Sequence, residues 1–327
     1  MNSPAIKLIP GVENIKKEAN NVKHWYRRAT VRTTDRVEVP NLNSDEYIFP
    51  PSRQPLVKHP LVIAKGEDAI AFILAQSAYE YMYEIGLLET RFVIDCSLNI
   101  VNNVIEGFSD ITKREALAVV IDEGYHAYVA LDFIMQMKEK NGIMPIEVPQ
   151  SNVNLDAVNN AYKTLRPEIH NHFQLISVTL AEHTLTKDLL AIGAEKEATE
   201  TFNQVMTDHV ADEGRHANFF MTATTNYWVK LPEEVRDEIG QFLPGYIDEY
   251  LKVDEERDYE RKVLLAAGFT QDETQQILDD THEEHMNKAN AYFERTVRQL
   301  VECIKKMGLF EHEKTRQAFI DHGVAID

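Results

Sequence analysis

One six-residue pattern, Asp-Glu-Gly-x-His-Ala, occurs twice in this chain. Asp122-Glu123-Gly124-Tyr125-His126-Ala127 returns ninety residues later as Asp212-Glu213-Gly214-Arg215-His216-Ala217. On a helix, Glu and His at i and i+3 share one face and reach one metal ion. Two copies constrain the whole fold. Each motif helix must turn that face inward, and each needs a further helix to supply one more carboxylate, the plan of a four-helix core around a dinuclear centre. The glycine costs about 1 kcal/mol against alanine inside a helix, so its presence in both copies predicts close packing where the helices cross.

The two additional carboxylates are Glu89 and Glu182. Glu89 shares a stripe with Ile85, Phe92 and Cys96 and precedes Glu123 by 34 residues; Glu182 shares one with Leu175, Val178, Leu185 and Leu189 and precedes Glu213 by 31. Each interval is a helix return trip plus a turn, which sets the members of a pair at one level of an antiparallel hairpin. Glu80 and Glu84 compete with Glu89, but their stripes are less apolar and lie further from Glu123. His209 adds an asymmetry. With Glu213 and His216 it falls at i, i+4 and i+7, within about 40° around a helix, and the matching residue of the first half is Val119. The predicted metal site therefore holds four carboxylates (Glu89, Glu123, Glu182, Glu213) and three imidazoles (His126, His209, His216). Two divalent ions balance four buried carboxylates that would otherwise be costly. Oxygen-rich ligation with imidazole suits iron or manganese. Asp122 and Asp212, each just before a ligand Glu, are placed to accept the second ring N–H of a ligand histidine.

Other clusters read as structure. His282-Glu283-Glu284-His285 sits in an acidic run and reads as a solvated face; His183 points about 100° away from Glu182. Cys96 reads as core or pocket lining, and Tyr79, Tyr81 and Tyr83 as packing residues.

Seven of the twelve prolines lie in the first sixty residues, so residues 1–65 read as an irregular proline-rich N-terminal arm packed on the core. Residues 66–327 read as one all-α helical domain carrying the dinuclear site. Helices are predicted from near Glu67 to near Val104, from a capping box at Thr112 and Glu115 to Asn141-Gly142, and from Pro167 to Gly193. Others run from about Lys196 to Val229, from Pro232 with a break near Pro244-Gly245, and from a Thr270/Glu273 box toward Lys306. The net charge of −19 excludes nucleic acid and anionic membrane surfaces as partners. No apolar run nears the ~20 residues of a membrane helix. Two cysteines make neither a disulfide framework nor a cysteine zinc site. With no secretory signal visible, a cytoplasmic location is expected.

At Glu89, Asp122-Glu123-x-x-His126, Glu182 and His209-x-x-x-Glu213-x-x-His216, over roughly residues 65 to 310, the chain resembles the AurF-type family of dinuclear iron N-oxygenases, named for p-aminobenzoate N-oxygenase. The paired motifs alone also fit ferritins, desaturases, ribonucleotide reductase small subunits and multicomponent monooxygenases; the extra histidine separates the AurF type from them. The resemblance implies a ferritin-like bundle with added helices. It also implies a non-haem diiron monooxygenase in which two ferrous ions and O2 give a peroxo-bridged diferric species. That species oxidises an amine to a hydroxylamine, nitroso or nitro product in small-molecule biosynthesis. No flavin or nicotinamide fingerprint is present, so electrons come from an external donor, a separate reductase. A homodimer is expected from the family and from base rates. A free aminobenzoate wants a cation for its carboxylate, yet between Lys65 and Lys113 the sole basic residue is Arg91, about 200° from Glu89, and Arg215 is expected to turn away from the site. An aliphatic amino acid, or an amine tethered to a carrier protein, stands equally open. The rival readings are carbon hydroxylation or desaturation at the same site, and a non-enzymatic ferritin-like iron-binding protein, for which 327 residues is too large.

Overall fold

The computed structural model describes residues 22–39, 47–195 and 197–326. Those parts of the proline-rich arm that fall at 1–21 and 40–46 lie outside the described residues. Eleven helices, with shorter turns between them, carry the described chain from residue 67 onward: α1 (Glu67–Leu88), α2 (Ile94–Val101), α3 (Asp110–Asn141), α4 (Val153–Thr164), α5 (His170–Gly193), α6 (Glu200–Trp228), α7 (Glu233–Tyr250), α8 (Asp258–Ala266), α9 (Gln271–Asp280), α10 (His282–Lys306) and α11 (Glu313–Asp321). Among the described residues no strand forms; one isolated bridge joins Tyr47 to Ala198. The fold is all-α and ferritin-like.

The four-helix core pairs α1–α2 with α3 and α5 with α6, and α3 also packs against α6. That last pair runs antiparallel, since His126 meets Asp212 where Asp122 meets His216. The ends follow local chemistry. Gly142, at φ 70°, ends α3 after Lys138 and Lys140. Pro167 opens a 3-10 turn that leads into α5. Thr199 caps α6, its hydroxyl accepting from the Phe202 amide.

Four expected boundaries differ. Ser109, not a Thr112/Glu115 box, caps α3, its hydroxyl accepting from the Thr112 amide at 3.3 Å. The first long helix is not uniform: Glu89–Val93 is a π turn, and the Ile94 amide reaches back five residues to the Glu89 carbonyl. The Thr90 hydroxyl takes up the Gly86 carbonyl at 2.6 Å. Pro244 does not break α7. Burial of Leu243, Tyr246, Ile247 and Tyr250 outweighs the ~3 kcal/mol of an interior proline. The Thr270/Glu273 capping box is present, but its helix stops at Asp280 and α10 begins anew at His282. Helices α4, capped by Asn152, and α11 carry no signal that the sequence reading used.

The described arm lies on the bundle. Val39, Ile48, Phe49, Leu56, Val57 and Val62 are buried against α1, α3 and α6. Arg36 pairs with Asp132, and the Gln136 amide group spans the Val37 carbonyl and the Val39 amide.

Candidate metal centre

All seven candidate ligands converge in the core, each no more than 5% exposed. Two groups have donor atoms mutually within 4.8 Å: Glu89, Glu123, His126 and His209, and Glu123, Glu182, Glu213 and His216. The structure thus holds two buried Glu/His clusters able to bind metal, with Glu123 common to both. His209, which the sequence groups with Glu213 and His216 of the second half, falls instead in the first cluster, although it touches both: its Nε2 lies 3.0 Å from Glu89 and 3.1 Å from Glu213. Glu213 Oε1 also approaches His126 at 3.5 Å and His216 at 3.3 Å. The π turn supplies Glu89 from a widened backbone, the kind of local distortion that collects at functional sites.

Buried polar atoms are normally hydrogen-bonded. Here both oxygens of Glu89, Glu182 and Glu213, one of Glu123, and a ring nitrogen each of His209 and His216 make no well-directed hydrogen bond, although some crowd one another at distances down to 2.8 Å. A lone buried carboxylate is expensive, and this many in one place mark a space completed by cations. The donor set of carboxylates with imidazoles fits iron or manganese.

Charges within the site adjust to one another. Burial pushes Glu89 up to about 7 although His209 pulls it down. Burial, with Glu213 and Glu123 alongside, drives Glu182 well above the carboxylate range. Burial works the same way on Glu213, but His216 and His209 beside it hold it well below. His126 and His216 rise well above the usual imidazole value against burial, through Asp212 and Glu123 for the first and Glu123 and Glu213 for the second. Both rings thus carry protons near pH 7 without metal, whereas a ligand imidazole is neutral. Metal uptake is therefore expected to release at least about two protons per chain, from these two rings and from the raised carboxyl of Glu182. Affinity then rises with pH from 6 to 8. Calorimetry of Mn²⁺ binding in buffers of different ionisation enthalpy measures the count; uptake without proton release contradicts this charge state.

Around the clusters the two halves exchange support. Asp212 accepts from His126 Nε2 and Asp122 from His216 Nε2, each at 3.2 Å. The arm reaches the same carboxylates, by the Trp25 indole N–H to Asp122 at 2.9 Å and the Thr30 amide to Asp212 at 3.1 Å. Arg215, expected to turn away, instead bridges both, 2.8 Å from Asp122 and 2.6 Å from Asp212. Its side chain folds back along α6 because two buried carboxylates need a cation. Sequence reasoning missed Trp25 and Thr30, which carry no motif; a signal for Arg215 was present, since it stands inside the repeat itself.

Glu80 and Glu84 take no part in either cluster; burial pushes them up to about 9 and about 7. Glu283 and Glu284 are exposed, as a solvated face requires, and Cys96 is fully buried. Gly124 and Gly214 are not points of close packing within the chain: a Cβ on either meets nothing within 4 Å.

The approaches to the centre are unequal. An open cleft of about 1130 Å³, lined by Val119, Asp122, His216, Leu117 and Trp25, lies on one side. The equivalent place ninety residues on, beside Tyr125, His126 and His209, is a cavity of about 20 Å³ capped by Thr34 and Val37 of the arm.

The family described as p-aminobenzoate N-oxygenase AurF matches residues 22–307. No curated protein matches the chain.

Proposed function

The chain belongs to the AurF family of diiron N-oxygenases and is an oxidoreductase, and on that premise we propose that it uses O2 to oxidise the nitrogen of an amine. In this reading Glu89, Glu123, His126 and His209 hold one iron ion, and Glu123, Glu182, Glu213 and His216 the other, with manganese accepted by the same donors. The two ions, when bound, supply O2 activation. What the chain contributes is a water-poor, fixed donor set. Asp212 and Asp122 hold the tautomers of His126 and His216, and burial keeps the carboxylates directed at the ions rather than at water. The observation that carries the reading is the concentration, in one buried place, of carboxylate and imidazole atoms that make no well-directed hydrogen bond, with His209 added on one side only.

The substrate we propose is an aryl amine, or an amino acid or other amine, free or presented by a carrier protein, and the product a hydroxylamine, nitroso or nitro compound. Arg91 is exposed and donates to the Gln150 carbonyl, so it provides no carboxylate anchor at the site. A separate reductase, a cytoplasmic location and a homodimeric state complete the proposal; among the described residues no helix is long and apolar enough to cross a membrane.

The test is an anaerobic load of two ferrous ions per chain, an O2 pulse, and mass analysis against a panel of amines. Oxygen gained at nitrogen in one amine class supports the reading; oxygen gained only at carbon, or none, defeats it. His209→Val gives the second half the residue of the first, Val119. It is expected to keep two ions per chain and lose turnover by roughly 100-fold or more, the scale seen when metal-site support is removed. Wild-type turnover in that variant removes His209 from the chemistry.

A further inference from the structure

The chain carries a net charge of −19, yet from Val22 to Thr34 it holds Lys23, Arg27, Arg28 and Arg32 and no Asp or Glu. All four cations are exposed. Among the described residues the first ion pair along the chain is that of Arg36 with Asp132, so the four face solvent without a carboxylate of this protein. They surround an aromatic pair. Trp25 meets Tyr26 edge-on at 5.1 Å, and the Arg32 guanidinium lies 5.7 and 4.6 Å from the two rings. A basic face on an acidic protein attracts an acidic partner and confines it there, because the rest of the surface repels it.

Trp25 is also joined to the metal centre. The half-buried ring gives its N–H to Asp122 at 2.9 Å, and Asp122 accepts from His216 Nε2 at 3.2 Å. The other nitrogen of that imidazole, Nδ1, faces Glu123 and Glu213 at 2.8 and 3.3 Å. Three side chains and two hydrogen bonds therefore lead from the surface to an atom placed to hold an ion. Electron transfer weakens steeply with distance and is carried better along bonds and hydrogen bonds than across a gap. The other half has no such line: Asp212, which accepts from His126, takes the amide and hydroxyl of Thr30 in place of an indole.

We propose that an acidic one-electron carrier protein, of the iron–sulfur or flavin class, docks on the basic face 23–32 and reduces the centre through Trp25, Asp122 and His216. The inference rests on the redox reading above, which needs a donor and leaves open where it binds. Each encounter oxidises the carrier by one electron and converts one ferric ion to ferrous, so two encounters return both ions to the ferrous state. Trp25 is a bridge whose own redox state does not change. A patch of this size suits the task, because electron-transfer encounters bury less than about 1,200 Å² in all and release the carrier quickly. An acidic carrier protein presenting the amine would meet the same cations; the hydrogen-bonded line from Trp25 to a candidate ligand favours the electron donor.

Two measurements on the full-length chain test it, with an acidic plant-type ferredoxin as the probe. In calorimetry the metal-free protein is expected to bind oxidised ferredoxin, and Arg27→Glu/Arg28→Glu to weaken that binding roughly 10-fold or more, the wild-type affinity falling as salt is raised. In anaerobic stopped flow, reduction of the diferric protein by reduced ferredoxin is expected to need more carrier in that variant at an unchanged limiting rate. Trp25→Phe, which keeps a ring and loses the N–H, leaves the concentration dependence as it is and lowers the limiting rate several-fold. Reduced lumiflavin, a small neutral donor, reduces the charge variant as fast as wild type, and Trp25→Phe slows it less than it slows ferredoxin. Binding and reduction unmoved by the charge reversal overturn the docking face. A limiting rate unchanged in Trp25→Phe, or lowered equally with lumiflavin, overturns the route. Wild type that binds an acyl-carrier-type protein and no ferredoxin assigns the face to substrate delivery and overturns both. No amine enters these measurements, so the amine reading fails separately: a chain that takes up no iron, or whose iron stays ferrous under O2, defeats that reading at the loading step and the electron route with it.

Discussion

Glu213→Gln and Glu182→Gln are expected to abolish binding of the second ion and to cut amine oxidation at least about 1000-fold, yet to shift metal-free stability in opposite directions. The argument rests on what surrounds each carboxylate. Glu213 Oε1 stands 3.1 to 3.5 Å from three imidazoles, and His216 and His209 hold it ionised despite burial. Neutralising it strands buried imidazolium charge, a loss of about 3 kcal/mol on the scale of breaking a buried pair. Glu182 is driven toward its protonated form by burial and by Glu213 and Glu123, which outweigh His216 at 4.0 Å, so an amide there replaces a group already near neutral and leaves the metal-free protein as stable or more so. Thermal melts with and without Mn²⁺ read both effects. If the two variants move the metal-free melt alike, the charge assignment inside the site is wrong.

Much of this centre was legible because it obeys periodicities. The i, i+3 motif, its recurrence and the return-trip spacing of Glu89 and Glu182 are each consequences of helix geometry, and His209 followed from one further turn. Periodicity stops at the next layer. The contacts of Trp25 with Asp122 and Thr30 with Asp212 span 97 and 182 residues, and nothing in the short helical turns that carry Trp25 and Thr30 announces a partner so far along the chain. The π turn at Glu89 inserts a change of backbone bonding without changing the residue types. Pro244 was misread because burial of the helix around it is a tertiary fact that outweighs a local penalty. Gly124 was misread for a different reason: close packing is only one use of a helical glycine, and a Cβ there meets nothing within 4 Å.

Arg215→Met is expected to destabilise the metal-free protein by about 3 kcal/mol, toward the lower end for buried ion pairs because its side chain is 19% exposed, and to weaken metal binding about 10- to 100-fold. Arg215 reaches Asp122 and Asp212 at once. Those aspartates in turn orient His216 and His126, so one guanidinium sets the geometry of both motif histidines. Without it two buried carboxylates face each other across α3 and α6 with only the Trp25 and Thr30 donors and the imidazoles themselves. Bound metal polarises both rings and strengthens their N–H bonds to the aspartates, so the loaded protein is expected to lose less stability than the metal-free form. Arg215→Lys falls between wild type and Arg215→Met, because an ammonium point charge lacks the fork that spans two acceptors. Equal losses with and without metal would assign Arg215 to packing alone; a smaller loss with metal, together with weakened uptake, ties this residue to the centre it does not touch.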